Sequence, residues 1–120
     1  TAAGLFDILA ENTFGKRQNK DSDVFEHIYD CDLLIIDDLG TELPNSFTVS
    51  QLFICLNERI LRQKSTIIST NLALEDIKSI YSERTFSRIS SNYTILRITG
   101  DDIRIQKKLL NLGGTNDVTP

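Results

Sequence analysis

Leu33-Leu34-Ile35-Ile36 is an unbroken apolar run, and it ends on two adjacent acids, Asp37 and Asp38. A strand with one wetted face alternates apolar and polar residues. A short run without alternation is the pattern of a strand buried on both faces, hence of the interior of a parallel sheet. Ser65-Thr66-Ile67-Ile68-Ser69-Thr70 is short and β-branched and reads as a second buried strand. Tyr93-Thr94-Ile95-Leu96-Arg97-Ile98 alternates enough to predict a third strand near a sheet edge.

Helical spacing fills the intervals. From Thr48 to about Gln63, Leu52, Phe53, Leu56, Ile60 and Leu61 share one stripe, and Leu74 to Tyr81 repeats the pattern. A further helix opens at Ser82 or Glu83 and runs through Ser90. Ahead of the first strand, Gly4 to Ala10 is helical in spacing and ends near Phe14-Gly15. Ser22 or Asp23 can cap a short helix carrying Val24, Phe25, Ile28 and Tyr29. Thr1-Ala2-Ala3 reads as the tail of a strand, Lys16 to Asp21 as a solvated loop, and Ile103 to Leu112 as a last helix. The tail 113–120 is expected to be disordered. Strands separated by helices predict an α/β fold, a parallel sheet flanked by helices on both faces. In such sheets ligands bind beyond the carboxyl ends of the strands, where Asp37, Asp38 and Asn71 fall.

Composition narrows the partners. The chain of 120 residues carries a net charge of −4, so no global basic field draws in nucleic acid. No apolar run approaches the roughly 18 residues of a membrane helix, and no signal peptide is visible, so a cytoplasmic protein without a membrane partner is expected. The absence of any Met and the opening on Thr1 read as an internal piece of a longer chain. Cys31 and Cys55 lie in apolar segments without CxxC spacing and read as buried free thiols rather than a disulfide or metal site. His27, the single histidine, reads as structural. Lys16, Arg17 and Lys20 form a local basic loop that is either simply solvated or able to touch phosphates.

Two adjacent carboxylates at a strand terminus repel unless a cation or proton intervenes. Magnesium suits them, because it takes oxygen ligands and keeps several waters. In a nucleotide site, one acid can hold the hydrated magnesium while the other orients and deprotonates the attacking water. The plain alternative is a pair of surface acids closing a strand. Asn71 offers an amide that donates to phosphate and accepts from water, or else a helix cap. Arg84 and Arg88 stand one helical turn apart and are either solvated or available to phosphoryl charge, where fork geometry favours arginine over lysine.

Asp32-Leu33-Leu34-Ile35-Ile36-Asp37-Asp38-Leu39-Gly40-Thr41-Glu42 resembles the Walker B segment of AAA+ ATPases, and more narrowly helicase loaders of the DnaC/DnaI type with their IstB-type transposition relatives. Ile68-Ser69-Thr70-Asn71 is similar to their sensor 1. Glu83-Arg84-Thr85-Phe86-Ser87-Arg88-Ile89 is similar to box VII, and Gly100-Asp101-Asp102-Ile103-Arg104 to sensor 2. The resemblance spans roughly residues 1 to 106. It implies a P-loop NTPase fold of AAA+ type, with residues 1–112 forming part of an ATPase domain. It implies ATP and Mg2+ as cofactors, with Asp37 organising the metal through water and Asp38 as catalytic base. Many AAA+ proteins carry Glu at that second place, and Asp38 has the shorter reach. Asn71 would face the γ-phosphate or the lytic water, and Arg104 would contact phosphate in its own subunit. Arg88 would be the finger offered to a neighbouring subunit, with Arg84 as second candidate.

The phosphate loop GxxxxGK[ST] occurs nowhere in the sequence. It is expected upstream of Thr1, so this piece alone is expected to bind ATP poorly and to be inactive. The implied function is ATP-dependent loading of a replicative DNA helicase onto single-stranded DNA, with self-association through the ATP site. An ATPase helper of a DNA transposase is the alternative. A response-regulator receiver domain also places acids after a buried strand. It needs a further acid some forty residues on, where Tyr81-Ser82-Glu83 lies in a helical pattern. A catalytically dead adaptor would not need Asp37, Asp38, Asn71 and Arg88 together.

Overall fold

Thr1 does not end a strand; it starts a helix. Its hydroxyl accepts the Gly4 N–H at 3.0 Å, satisfying one of the unpaired donors of the first turn. In the computed structural model, which describes residues 1–14, 21–100 and 110, helix α1 then runs Ala2–Phe14. Helix α2 follows at Asp21–Asp30 and strand β1 at Leu33–Leu39. Helix α3 (Ser46–Leu61) leads to strand β2 (Ser65–Thr70), and helices α4 (Leu74–Tyr81) and α5 (Glu83–Asn92) complete the order. Because α2 begins at Asp21, Ser22 and Asp23 lie inside its first turn rather than capping it. The basic loop 15–20, most of the expected helix 103–112, the tail 113–120 and Arg104 lie outside the described residues.

Asn45 sets the start of α3. Its Oδ1 accepts the Thr48 N–H and Thr48 Oγ1 accepts the Asn45 N–H, both at 2.9 Å, a reciprocal capping box. From there Leu52, Cys55 and Leu56 are fully buried against Leu5, Phe6 and Leu9 of α1 and against Ile36 and Leu39 of β1. Ile77 and Tyr81 of α4 and Ile89 of α5 close the same core.

β1 and β2 pair in parallel, as expected, but neither is buried on both faces. Leu34, Ile36, Thr66 and Ile68 turn toward the helices, whereas Leu33, Ile35 and Ile67 remain 50%, 59% and 54% exposed. Among the described residues, the helices therefore cover one face of the sheet, not two. An apolar run reports β propensity and a capacity for burial, and tertiary context decides how many faces are covered.

The expected third strand does not form. After Asn92 the chain is extended, with Tyr93 at φ −113° and ψ 146°, but residues 94–99 join no ladder. Tyr93 still packs against the core, while Ile98 is 94% exposed. Alternation supplies the extended conformation; a strand also needs a paired edge, and among the described residues the sheet holds only β1 and β2.

Both cysteines are free, Cys55 buried and Cys31 half-buried. His27 is exposed on α2 and lines an open cleft with Glu26, Asp30 and Cys31. Burial pushes the Cys55 thiol up from 9.0 to about 11, with Arg59 opposing part of the effect. The unfolded chain therefore ionises this thiol first. The stability it contributes is complete below about pH 9 and is lost as pH rises through about 11. A Cys55→Ala variant should lose less stability across that window, by about 2–3 kcal/mol at its upper end. Urea unfolding of both proteins in reductant at stepped pH measures the difference; parallel curves would refute it.

Candidate functional site

The ladder pairs Ile36 with Ile68 and then Leu39 with Thr70. Asp37 and Asp38 thus stand opposite Ser69 alone, a bulge with one surplus residue on β1. Ser69 bridges the irregularity. Its hydroxyl donates to Asp37 Oδ1 and accepts the Asp38 N–H at 3.1 Å, in place of the missing ladder bond. Asp38 adopts φ 58°, the left-handed region that Asp tolerates better than most residues. The bulge therefore gives the two carboxylates different settings: Asp37 is tied to Ser69, and the Asp38 carboxylate is exposed with no side-chain partner among the described residues.

The turn after the acids is tightly held. Thr41 Oγ1 donates to the Asp38 carbonyl at 2.9 Å, and the Thr41 N–H to the same carbonyl at 3.3 Å. Gly40 sits at φ 102°, and a Cβ there would meet Leu72 Cδ1 at 2.5 Å, so only glycine satisfies both backbone and space. Thr70 Oγ1 donates to the Leu39 carbonyl at 2.6 Å and accepts the Leu72 N–H at 3.1 Å. These bonds fix the segment following β2 against the segment following the acids.

Asn71 leaves the end of β2 at this point. It is not the cap of α4, whose N-cap is Ala73 with no side-chain bond. Its amide is exposed and makes no hydrogen bond among the described residues. Asp37, Asp38 and Asn71 thus share the carboxyl end of a two-stranded parallel sheet.

The residues present fit a hydrated magnesium ion and not a dehydrated metal cage. Among the described residues, no group of three or more His, Cys, Asp or Glu is placed to hold a metal. Available are the second oxygen of Asp37 and the Asp38 carboxylate, hard ligands suited to an ion that keeps most of its waters.

Arg84 and Arg88 lie on α5 in different surroundings. The Arg84 guanidinium stands 4.2 Å above the Phe53 ring, a cation–π contact that holds it against α3. Arg88 is exposed and has no ion-pair partner among the described residues. Both line an open cleft of about 360 Å³ with Phe53, Glu83 and Ser87. Among the described residues, no hydrogen bond or ion pair joins either arginine to Asp37, Asp38 or Asn71.

Three residues escaped the sequence reading: Ser69, which bridges the acids, and Glu42 and Tyr81, which bond to each other. The period of two along β2 places Ser69 on the same face as Ser65 and Ile67, so the alternation carried its signal. Nothing local marks the Glu42–Tyr81 pair, whose members are 39 residues apart. No protein-family model, curated protein or solved structure matches the chain.

Proposed function

We propose that these residues form the hydrolytic half of an ATP site, in an ATPase of the AAA+ helicase-loader type. The observation that carries the reading is the bulge opposite Ser69. It sets one carboxylate in a fixed bond and leaves its neighbour's carboxylate free, at the same end of the parallel strands as the exposed Asn71 amide. Two acids in those distinct settings suit two distinct tasks. Asp37, oriented by Ser69, would hold hydrated Mg2+, which would supply charge neutralisation at the phosphates. Asp38 would take the proton of the attacking water as its oxygen bonds to the γ-phosphorus and the bond to ADP breaks. Asn71 would orient that water. Arg104 would contact phosphate within the subunit, and Arg88 would reach a neighbouring subunit's nucleotide. Hydrolysis would be coupled to loading a hexameric replicative helicase onto single-stranded DNA. Compatible with this setting, no helix among the described residues is long and apolar enough to cross a membrane.

Arg88 is a better finger than Arg84, because Phe53 already occupies the face of the Arg84 guanidinium. In the full-length protein, Arg88→Ala should lower the ATPase rate by about 10³. Mixing it with an Asp38→Asn protein, itself inactive, should restore part of the rate, since mixed interfaces pair an intact carboxylate with an intact arginine. An unchanged Arg88→Ala rate, or no recovery on mixing, would remove the finger assignment. Co-precipitation with a replicative helicase supports the loader reading; co-precipitation with a transposase instead would replace it with the transposition-helper reading.

A further inference from the structure

Glu42 follows the carboxylate turn and reaches in two directions. Its Oε2 accepts the Gly40 N–H at 3.0 Å, and its Oε1 accepts the Tyr81 hydroxyl. On one side Gly40 is confined by its φ of 102° and by Leu72, only two residues beyond the bulged acids. On the other side Tyr81 is wholly buried and is the last residue of α4. Ser82, next in the chain, is held at φ 97° and caps α5: its side chain accepts the Thr85 N–H at 3.4 Å and its carbonyl the Phe86 N–H at 3.1 Å. A non-glycine residue at such an angle persists only where its surroundings over-determine it. The Glu42–Tyr81 bond is therefore one of the restraints that fix where α5, with Arg84 and Arg88, leaves α4.

Burial first, and then the Glu42 carboxylate, push the Tyr81 hydroxyl well above its ordinary value, so it remains a donor at every working pH. Stability alone does not call for such a contact. Replacing a partly buried charged group with an apolar side chain of similar size is often neutral or stabilising. A carboxylate with both oxygens engaged does supply direction: charge-assisted bonds in two fixed geometries.

We propose that Glu42 is a positioning residue. It couples the turn carrying Asp37 and Asp38 to the α4–α5 elbow carrying Arg84 and Arg88, so that a shift at either end is felt at the other. The site-level part of this inference rests on the ATPase reading above, whereas the mechanical coupling does not.

Two substitutions isolate the coupling in this chain. Tyr81→Phe keeps the buried ring and drops the hydroxyl; Glu42→Met keeps the bulk and drops both acceptors. In each, amide hydrogen exchange should rise roughly tenfold at Gly40 and, together with it, at Thr85 and Phe86, while the α3 core amides stay unchanged. Glu42→Gln, whose single carbonyl oxygen can accept from Gly40 or from Tyr81 in the parent geometry but not from both, should fall between the parent and Glu42→Met. Faster exchange at Gly40 alone, or a rise spread equally through α3, overturns the coupling. Should Glu42→Met not fold, Tyr81→Phe decides. In the full-length protein the same two variants should lower kcat about tenfold with KM for ATP unchanged. A parent protein that hydrolyses no ATP would sink the ATPase reading and leave the exchange result to judge the coupling. Unchanged kcat in an active parent would instead sink the positioning role.

Discussion

On the ATPase reading proposed above, Asp38→Asn should cut ATP hydrolysis by the full-length protein at least a hundredfold while leaving its fold and nucleotide affinity in place. Asparagine matches aspartate in size and is among the few residues that accept the φ of 58° at this position. The bond from the residue 38 backbone N–H to Ser69 Oγ, at 3.1 Å, does not involve the side chain and survives the change. What disappears is proton affinity, since an amide cannot take a proton from water. General-base removal costs about 10²–10⁴ in rate. Because the Asp38 carboxylate has no bonded partner among the described residues, its loss leaves no acceptor or donor stranded. Single-turnover hydrolysis, with nucleotide binding and thermal unfolding measured alongside, separates the cases. A rate within threefold of the parent would end the base assignment, and a collapse in melting temperature would show that the carboxylate serves the fold instead.

Arg59→Ala should be strongly destabilising, at about 3–5 kcal/mol. The side chain is 0% exposed and every arm of the guanidinium is used. Nε donates to Thr66 Oγ1 at 2.9 Å, Nη1 to the Ile28 carbonyl at 2.7 Å and to Cys31 Sγ at 3.3 Å, and Nη2 to the Ser65 carbonyl at 2.6 Å. These partners belong to the end of α2, the approach to β1 and the start of β2, so one residue on α3 ties three segments together. Truncation opens a cavity and strands buried acceptors at about 1–3 kcal/mol each. Such a loss is a large fraction of the roughly 5–15 kcal/mol that a domain possesses. Arg59→Lys should recover only part of it, because a point charge cannot reproduce a planar fork. Chemical unfolding measures both; a cost below about 1 kcal/mol for Arg59→Ala would mean the network is dispensable.

These residues also show what one-dimensional reading captures. The run Leu33–Ile36 and the β-branched segment Ser65–Thr70 announce strands because side-chain shape acts locally, and both strands form. Adjacency alone puts Asp37, Asp38 and Asn71 just past strand ends; Asn71 lies there, whereas β1 continues through the two acids to Leu39. Arg59 stood at the right spacing, three residues after Leu56 and seven after Leu52, yet its charge argued against the core until its partners from α2 and β2 were known. Residues 93–98 failed for the opposite reason: the local preference was real, but ladder formation depends on a neighbour that local sequence does not supply. Ser69 lay between, legible as to face and illegible as to function until the register was known.

The bulge at Asp37–Asp38 has a meaning for how this strand can vary in length. The ladder resumes at Leu39 and Thr70 only because β1 carries one residue more than β2 over the same interval. A chain with a single acid here could run an unbroken ladder, with Ser69 facing an ordinary partner and no left-handed residue required. The second carboxylate is, in effect, a one-residue insertion, and the strand tolerates it because the serine opposite absorbs the mismatch. Shortening β1 by one position at this point would therefore leave the sheet presenting a single acid, with every apolar residue of β1 still on the face it now occupies.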